Sequence, residues 1–174
     1  MLCKDFKKEN FRITHTIDAI DYIRDDEDEL TRADVWMTAT FFFRSVEIGR
    51  ASIEYSITDV DDLDDLERSE SKESSDLIHA FVLDRYGDTP SYVARLDIYS
   101  GWRRHGFGSM ALSSLALYAG CVVAPDNTDA KRLYERIGDV LDGGDLFDEF
   151  YAMDQGYGLY YIRAFSDGDF ITGK

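Results

Sequence analysis

Apolar and polar residues alternate with a period of two along several stretches of this chain. Arg50 to Thr58 sets Ala51, Ile53, Tyr55 and Ile57 against Arg50, Ser52, Glu54 and Ser56, the pattern of a half-buried strand. Val35 to Val46 is β-branched and aromatic on both parities, which predicts a strand apolar on both faces. Glu47-Ile48-Gly49 supplies the turn that makes the two a hairpin. Phe11 to Thr16 reads as a short first strand, and Tyr157 to Phe165, YGLYYIRAF, as a late aromatic one. Elsewhere the spacing becomes three and four. After Asp18 as a cap and Ile17 as a staple, Ile20, Ile23, Glu27 and Leu30 predict a helix whose outer face carries Asp25 to Glu29. Ala130, Leu133, Tyr134 and Ile137 predict another. Leu77 to Tyr86 suits a helix ended by Gly87 and also a strand, and the strand is the reading taken. Tyr86 to Pro90 is then a turn, Val140 and Leu141 begin a further strand, and the tail beyond Ser166 is loose.

Composition fits one domain over residues 1–174, since 44% hydrophobic and 14% aromatic residues supply a real core. The net charge of −16 excludes a nucleic-acid partner held through its phosphates, which needs clustered bases, and favours amine-bearing partners. Asp59 to Asp76 holds nine acids against two bases and reads as a flexible or marginally helical insertion. Asp142 to Gly156 reads as a second acidic insertion. Two cysteines, Cys3 and Cys121, suggest no disulfide framework, so a reducing cytoplasm is expected. The charged start MLCKDFKKENFR is not a secretory signal. Gly106 to Pro125 runs 20 residues without a charge, but Ser109, Ser113, Ser114 and the break at Gly120 divide it into a buried helix and a short strand, Cys121 to Ala124, so no membrane span is expected.

Chemistry concentrates in Ile98 to Ser109, IYSGWRRHGFGS. The alternating run through Val93, Leu96, Ile98 and Tyr99 gives way to Arg103-Arg104-His105-Gly106-Phe107-Gly108 and then to the uncharged helix. Strand, glycine loop and helix in that order form an anion site, because glycine admits close approach and a helix start presents N–H groups and a positive dipole end. Pyrophosphate is the ligand expected. Arg103, Gly106 and Gly108 resemble the Arg/Gln-x-x-Gly-x-Gly/Ala signature of the GNAT superfamily of acyl-CoA-dependent N-acyltransferases. Further on, PDNTDAKRLYERIG resembles that family's second cofactor segment, with Asn127, Ala130, Leu133, Tyr134 and Gly138 in place. After Gly138 the chain departs from the family, offering Asp139 where an aromatic is usual.

The resemblance implies an α/β (α+β) fold: a mixed, largely antiparallel central sheet flanked by helices, with a splayed strand pair at the acyl-CoA site. It implies acetyl-CoA as cofactor and transfer of its acyl group to an amine, with a cationic acceptor favoured by the chain's charge. Arg103, Arg104, His105, Gly106, Phe107, Gly108 and Ser109 would hold the pyrophosphate, Ile98 and Tyr99 would face the thioester, and Asn127 would reach the pantetheine arm. Tyr134 would be the general acid, with Asp97 and Glu54 as candidates for the base by strand position. No metal is assigned, the acceptor is a small molecule or a protein, and a homodimer is left open. The alternative is an acidic, non-enzymatic binding protein, such as a nucleic-acid mimic.

Overall fold

The computed structural model describes residues 10–70, 75–116 and 119–163. Seven strands are ordered along the chain as β1 (Phe11–Arg24), β2 (Leu30–Phe43), β3 (Val46–Ile57), β4 (Ser91–Ile98), β5 (Cys121–Val123), β6 (Asp139–Leu141) and β7 (Leu159–Ile162). They form one sheet in the order β1-β2-β3-β4-β5-β7-β6. Every neighbouring pair is antiparallel except β4 and β5. The helices are α1 (Val60–Glu70), α2 (Ser75–Arg85), α3 (Phe107–Leu115), α4 (Thr128–Ile137) and α5 (Asp145–Phe150). The fold is therefore α+β with a mostly antiparallel sheet, as expected.

The predicted helix after Asp18 does not exist; β1 runs unbroken for 14 residues. The register steps from Ile17↔Met37 to Ala19↔Trp36, so Asp18 is an extra residue and its neighbours change parity there. Ile17 and Ile20 are three apart because of a bulge, which imitates the opening of a helix. The Thr38 hydroxyl donates to the Asp18 carboxylate at 2.7 Å across the bulge. Asp25 to Glu29 is not a helix face but the β1–β2 turn, where the Asp25 carboxylate accepts from the Glu27 and Glu29 amides, both at 2.9 Å.

The β2–β3 hairpin turns at Arg44 and Ser45, with φ of 49° and 65°, two left-handed residues suited to the twist of the strands. Gly49 therefore lies inside β3 rather than in the turn. A Cβ there would stand 2.3 Å from the Asp97 carbonyl oxygen on β4, so close approach of two strands explains this glycine. Leu77 to Arg85 is helical, against the strand reading: β3 already pairs with β2 on one side and β4 on the other, and Val82 is buried while Ile78, Phe81 and Arg85 are half-buried, which is helical spacing. The acidic stretch from Val60 is likewise helix α1, anchored by buried Leu63 and Leu66; residues 71–74 of that stretch lie outside the described residues. So do Cys3 with the N-terminal segment, residues 117–118, the end of the last predicted strand, and the tail.

One face of the sheet carries Val35, Met37, Phe41, Ile53, Cys121 and Val123 against Leu63, Leu66, Val82, Leu112 and Leu115 from α1, α2 and α3. The opposite face is covered at one end, where Phe150 of α5 joins Tyr92, Val122 and Leu159; the 142–156 segment thus contributes a buried anchor. Among the described residues no helix is long and apolar enough to cross a membrane.

Candidate active site

β4 and β5 pair through three residues only, ending at Val93↔Val123. Next on β4 is Ala94, an extra residue between the registers Ile53↔Val93 and Ser52↔Arg95, and a bulge there bends the strand. β5 continues instead into Ala124-Pro125-Asp126 and the start of α4. Between the parted elements lies a cleft of ≈ 1030 Å³ lined by β4, the loop before α3, and α4.

The walls combine open main chain with arginine. The Tyr99 amide donates to the Ile48 carbonyl at 2.9 Å. In an antiparallel ladder bonding alternates, so Leu96 and Ile98 turn their N–H groups away from β3 and towards the cleft. The Ile98 N–H is thus turned to the cleft, whereas that of Tyr99 is not: its amide serves β3 and its hydroxyl donates to Glu47. Both Ile98 and Leu96 line the cleft. The loop beyond is curled by two left-handed residues, Arg104 with φ 63° and Gly106 with φ 85°, the kind of backbone that gathers N–H groups around an anion. Gly106 caps α3, whose first N–H groups have no partner inside the helix.

Of the loop residues, Arg103, Arg104, Gly106, Gly108 and Ser109 line the cleft. Phe107 does not: its ring is core, 2% exposed, and packs edge-on to Phe43 and Trp102, so only its main chain is available. His105 is exposed at the loop surface and off the cleft wall. Gly108 has ordinary helical backbone; a Cβ there would meet Leu133 Cδ2 of α4 at 3.2 Å, so this glycine also lets α3 approach α4. Arg103 is anchored, its Nε donating to the Ile98 carbonyl at 2.6 Å and its Nη2 to Asp97 at 3.0 Å.

Asn127 caps α4 with its Oδ1, which accepts from the Ala130 amide at 2.9 Å, while its Nδ2 donates to Asp126 at 2.5 Å. It lines the cleft, but both ends of its amide are engaged in the structural role. Tyr134 lines the cleft from the next turns of α4 and is 6% exposed. Burial pushes its phenol up to about 12, with Asp126, Cys121 and Tyr92 adding to the effect. It is therefore protonated at neutral pH, and among the described residues nothing hydrogen-bonds its hydroxyl.

The two base candidates part company. Asp97 is in the cleft and paired with Arg103. Glu54 is outside it, half-buried on β3 opposite Tyr92; burial raises its carboxyl above the usual range, helped by the charge of Asp34.

Sequence reasoning missed Arg95, Arg132 and Arg136. With Arg103 and Arg104 they give the cleft five arginines against three aspartates, Asp97, Asp126 and Asp129, a net +2 in a chain of net −16. Arg132 and Arg136 are four apart on α4, hence on one helix face, and Arg136 donates to the Ser109 hydroxyl at 3.2 Å. No family model, curated protein or solved structure matches this chain.

Proposed function

We propose that this protein is an acetyl-CoA-dependent N-acetyltransferase of the GNAT kind, acting on a primary amine. The observation that carries the reading is the cleft itself: a net-positive, arginine-lined opening where β4 leaves β5, closed at one end by a glycine loop and helix start. A polyanion with an extended amide-bearing arm suits such walls. Its phosphates would meet Arg104, Arg132, Arg136 and the first N–H groups of α3. The arm would lie along β4 as a substitute strand, taking the main-chain groups at Leu96 that β5 leaves unpaired.

The thioester supplies the chemistry: the amine nitrogen bonds to the acyl carbon as the carbon–sulfur bond breaks, giving an amide and CoA thiol. The Ile98 N–H is the protein's donor to the carbonyl oxygen as it gains negative charge. Tyr134, held protonated by its burial, gives its proton to the departing sulfur. Asp97 takes the proton the amine loses, directly or through water, with Glu54 in reserve on the neighbouring strand. The acceptor ammonium is itself a cation, and these two carboxylates are the local attraction for it.

Several acids of the α1 stretch that suggested a nucleic-acid mimic are paired within the protein. Glu67 pairs with Arg24, Asp62 with Arg85 and Asp65 with Arg68. Calorimetric titration with acetyl-CoA and CoA tests the proposal. Saturable one-to-one binding that weakens with added salt is expected, and absence of binding by either ligand at millimolar concentration overturns it.

A further inference from the structure

We propose that Arg95 reads a carboxylate on the acceptor, so that the natural substrate is a small amine of the amino-acid class. The inference rests on the acyltransfer reading and concerns a second hollow, of ≈ 290 Å³, that shares Arg95 and Asp97 with the large cleft. The two residues are two apart on β4, so both side chains leave the same sheet face about 7 Å apart. That is the face α5 leaves uncovered here. The floor is a row of short hydroxyl side chains in register across the sheet: Thr38 opposite Ser52, and Ser52 opposite Arg95. Long side chains would fill this space; these leave it open.

Of the three charged residues that line the hollow, Arg50, Arg95 and Asp97, two are committed. Arg50 grips Glu47 through two bonds, at 2.8 and 3.3 Å. Asp97 is held by Arg103. Arg95 has no hydrogen bond or ion pair among the described residues, and it stands where the hollow opens into the cleft. An incoming molecule with an amine beside Asp97 and a carboxylate a few bonds away would complete the set, the guanidinium fork matching the carboxylate plane. A purely cationic amine would leave Arg95 repelling it.

The test measures thiol release with a panel of L-amino acids and the corresponding C-terminal amides, for the parent, Arg95→Gln and Arg95→Lys, with acetyl-CoA affinity titrated separately. In the parent, free acids are expected to outperform their amides in kcat/KM by about tenfold or more. In Arg95→Gln that preference should collapse through a raised KM for the acids, Arg95→Lys should restore part of it, and acetyl-CoA affinity should be unchanged in both. Equal use of acids and amides by a parent that binds acetyl-CoA overturns the assignment. So does an Arg95→Gln variant that keeps the preference, or one that loses acetyl-CoA affinity instead, since Arg95 would then serve the cofactor. A parent that binds no acetyl-CoA overturns the acyltransfer reading, and this assignment with it.

Discussion

Tyr134→Phe separates a proton donor from a packed ring. The ring sits in the core against Tyr160, with centroids 6.3 Å apart, and phenylalanine keeps that contact. Among the described residues the hydroxyl has no hydrogen-bond partner to lose, so the change in folding stability should stay within about 1 kcal/mol. The kinetic effect is expected to be much larger. Loss of a positioned general acid lowers turnover by about 10² to 10⁴, or roughly 3 to 5 kcal/mol of barrier. The raised phenol sharpens the expectation. With the hydroxyl pushed up to about 12, the proton stays in place across the neutral range, and the parent should show no alkaline loss of turnover from this group below about pH 10. Single-turnover acyl transfer at saturating acetyl-CoA reads the chemical step, and titration reads affinity, so a binding defect is not mistaken for a chemical one. A variant within a few-fold of the parent in the single-turnover rate would remove Tyr134 from the mechanism and leave water as the proton source.

Three further outcomes are expected. Gly108→Glu places bulk and negative charge at the first turn of α3, where even a Cβ would stand only 3.2 Å from Leu133; acetyl-CoA binding should be lost while circular dichroism stays close to the parent's, and retained affinity would sink the phosphate-loop assignment. Gly49→Ala drives a methyl into the Asp97 carbonyl, 2.3 Å away, and since that oxygen is backbone the two strands must part; a fall in melting temperature of several degrees is expected, and an unchanged one would refute the close approach. His15 is lowered by burial, its Nε2 has no hydrogen-bond partner, and its ring faces Tyr86 at 5.4 Å. The unfolded chain therefore takes up this proton first, and native stability should fall as pH drops below about 6.5 towards the lower folded value. His15→Phe should remove that component, so urea midpoints of parent and variant should diverge between pH 7.5 and 5; parallel curves would refute it.

The parts of the fold legible in the sequence are those where local pattern and tertiary role coincide. The alternation of Arg50 to Ile57 is the burial pattern of β3, and Asn127 caps α4 as its position suggests. Reading fails where an interruption has two physical causes. The gap from Ile17 to Ile20 is a bulge, not a helical turn, and only pairing with β2 reveals it. Gly49 has the composition of a turn, but its reason is the carbonyl of a strand more than forty residues away in sequence. Val82 and its neighbours suit strand or helix equally, and the sheet decides because β3 has no free edge. At the site, Arg103 to Ser109 are marked by their glycines, while Arg132 and Arg136 resemble any polar helix face. Nothing local tells a face turned to a cleft from one turned to bulk water.

Net charge misleads for a related reason. A total of −16 suggests a cationic ligand, yet only charge near a site governs what enters it, because exposed charges are screened beyond about 8 Å at physiological ionic strength. The Asp25 to Glu29 turn joins β1 and β2, and the cleft opens beyond β4. Two to three strand spacings of about 4.8 Å place that acidic turn at or past the screening distance. Within the cleft five arginines face three aspartates, and two of those aspartates are tied to arginines, Asp97 to Arg103 and Asp129 to Arg132. Of the arginines set to meet the phosphates, Arg104 and Arg136 remain without an acidic partner among the described residues. A phosphate-bearing ligand is thus favoured locally despite the net negative charge of the chain. Acetyl-CoA affinity should accordingly vary with salt as the cleft's charge dictates, weakening as salt rises, whereas dominance of the global charge would make it strengthen.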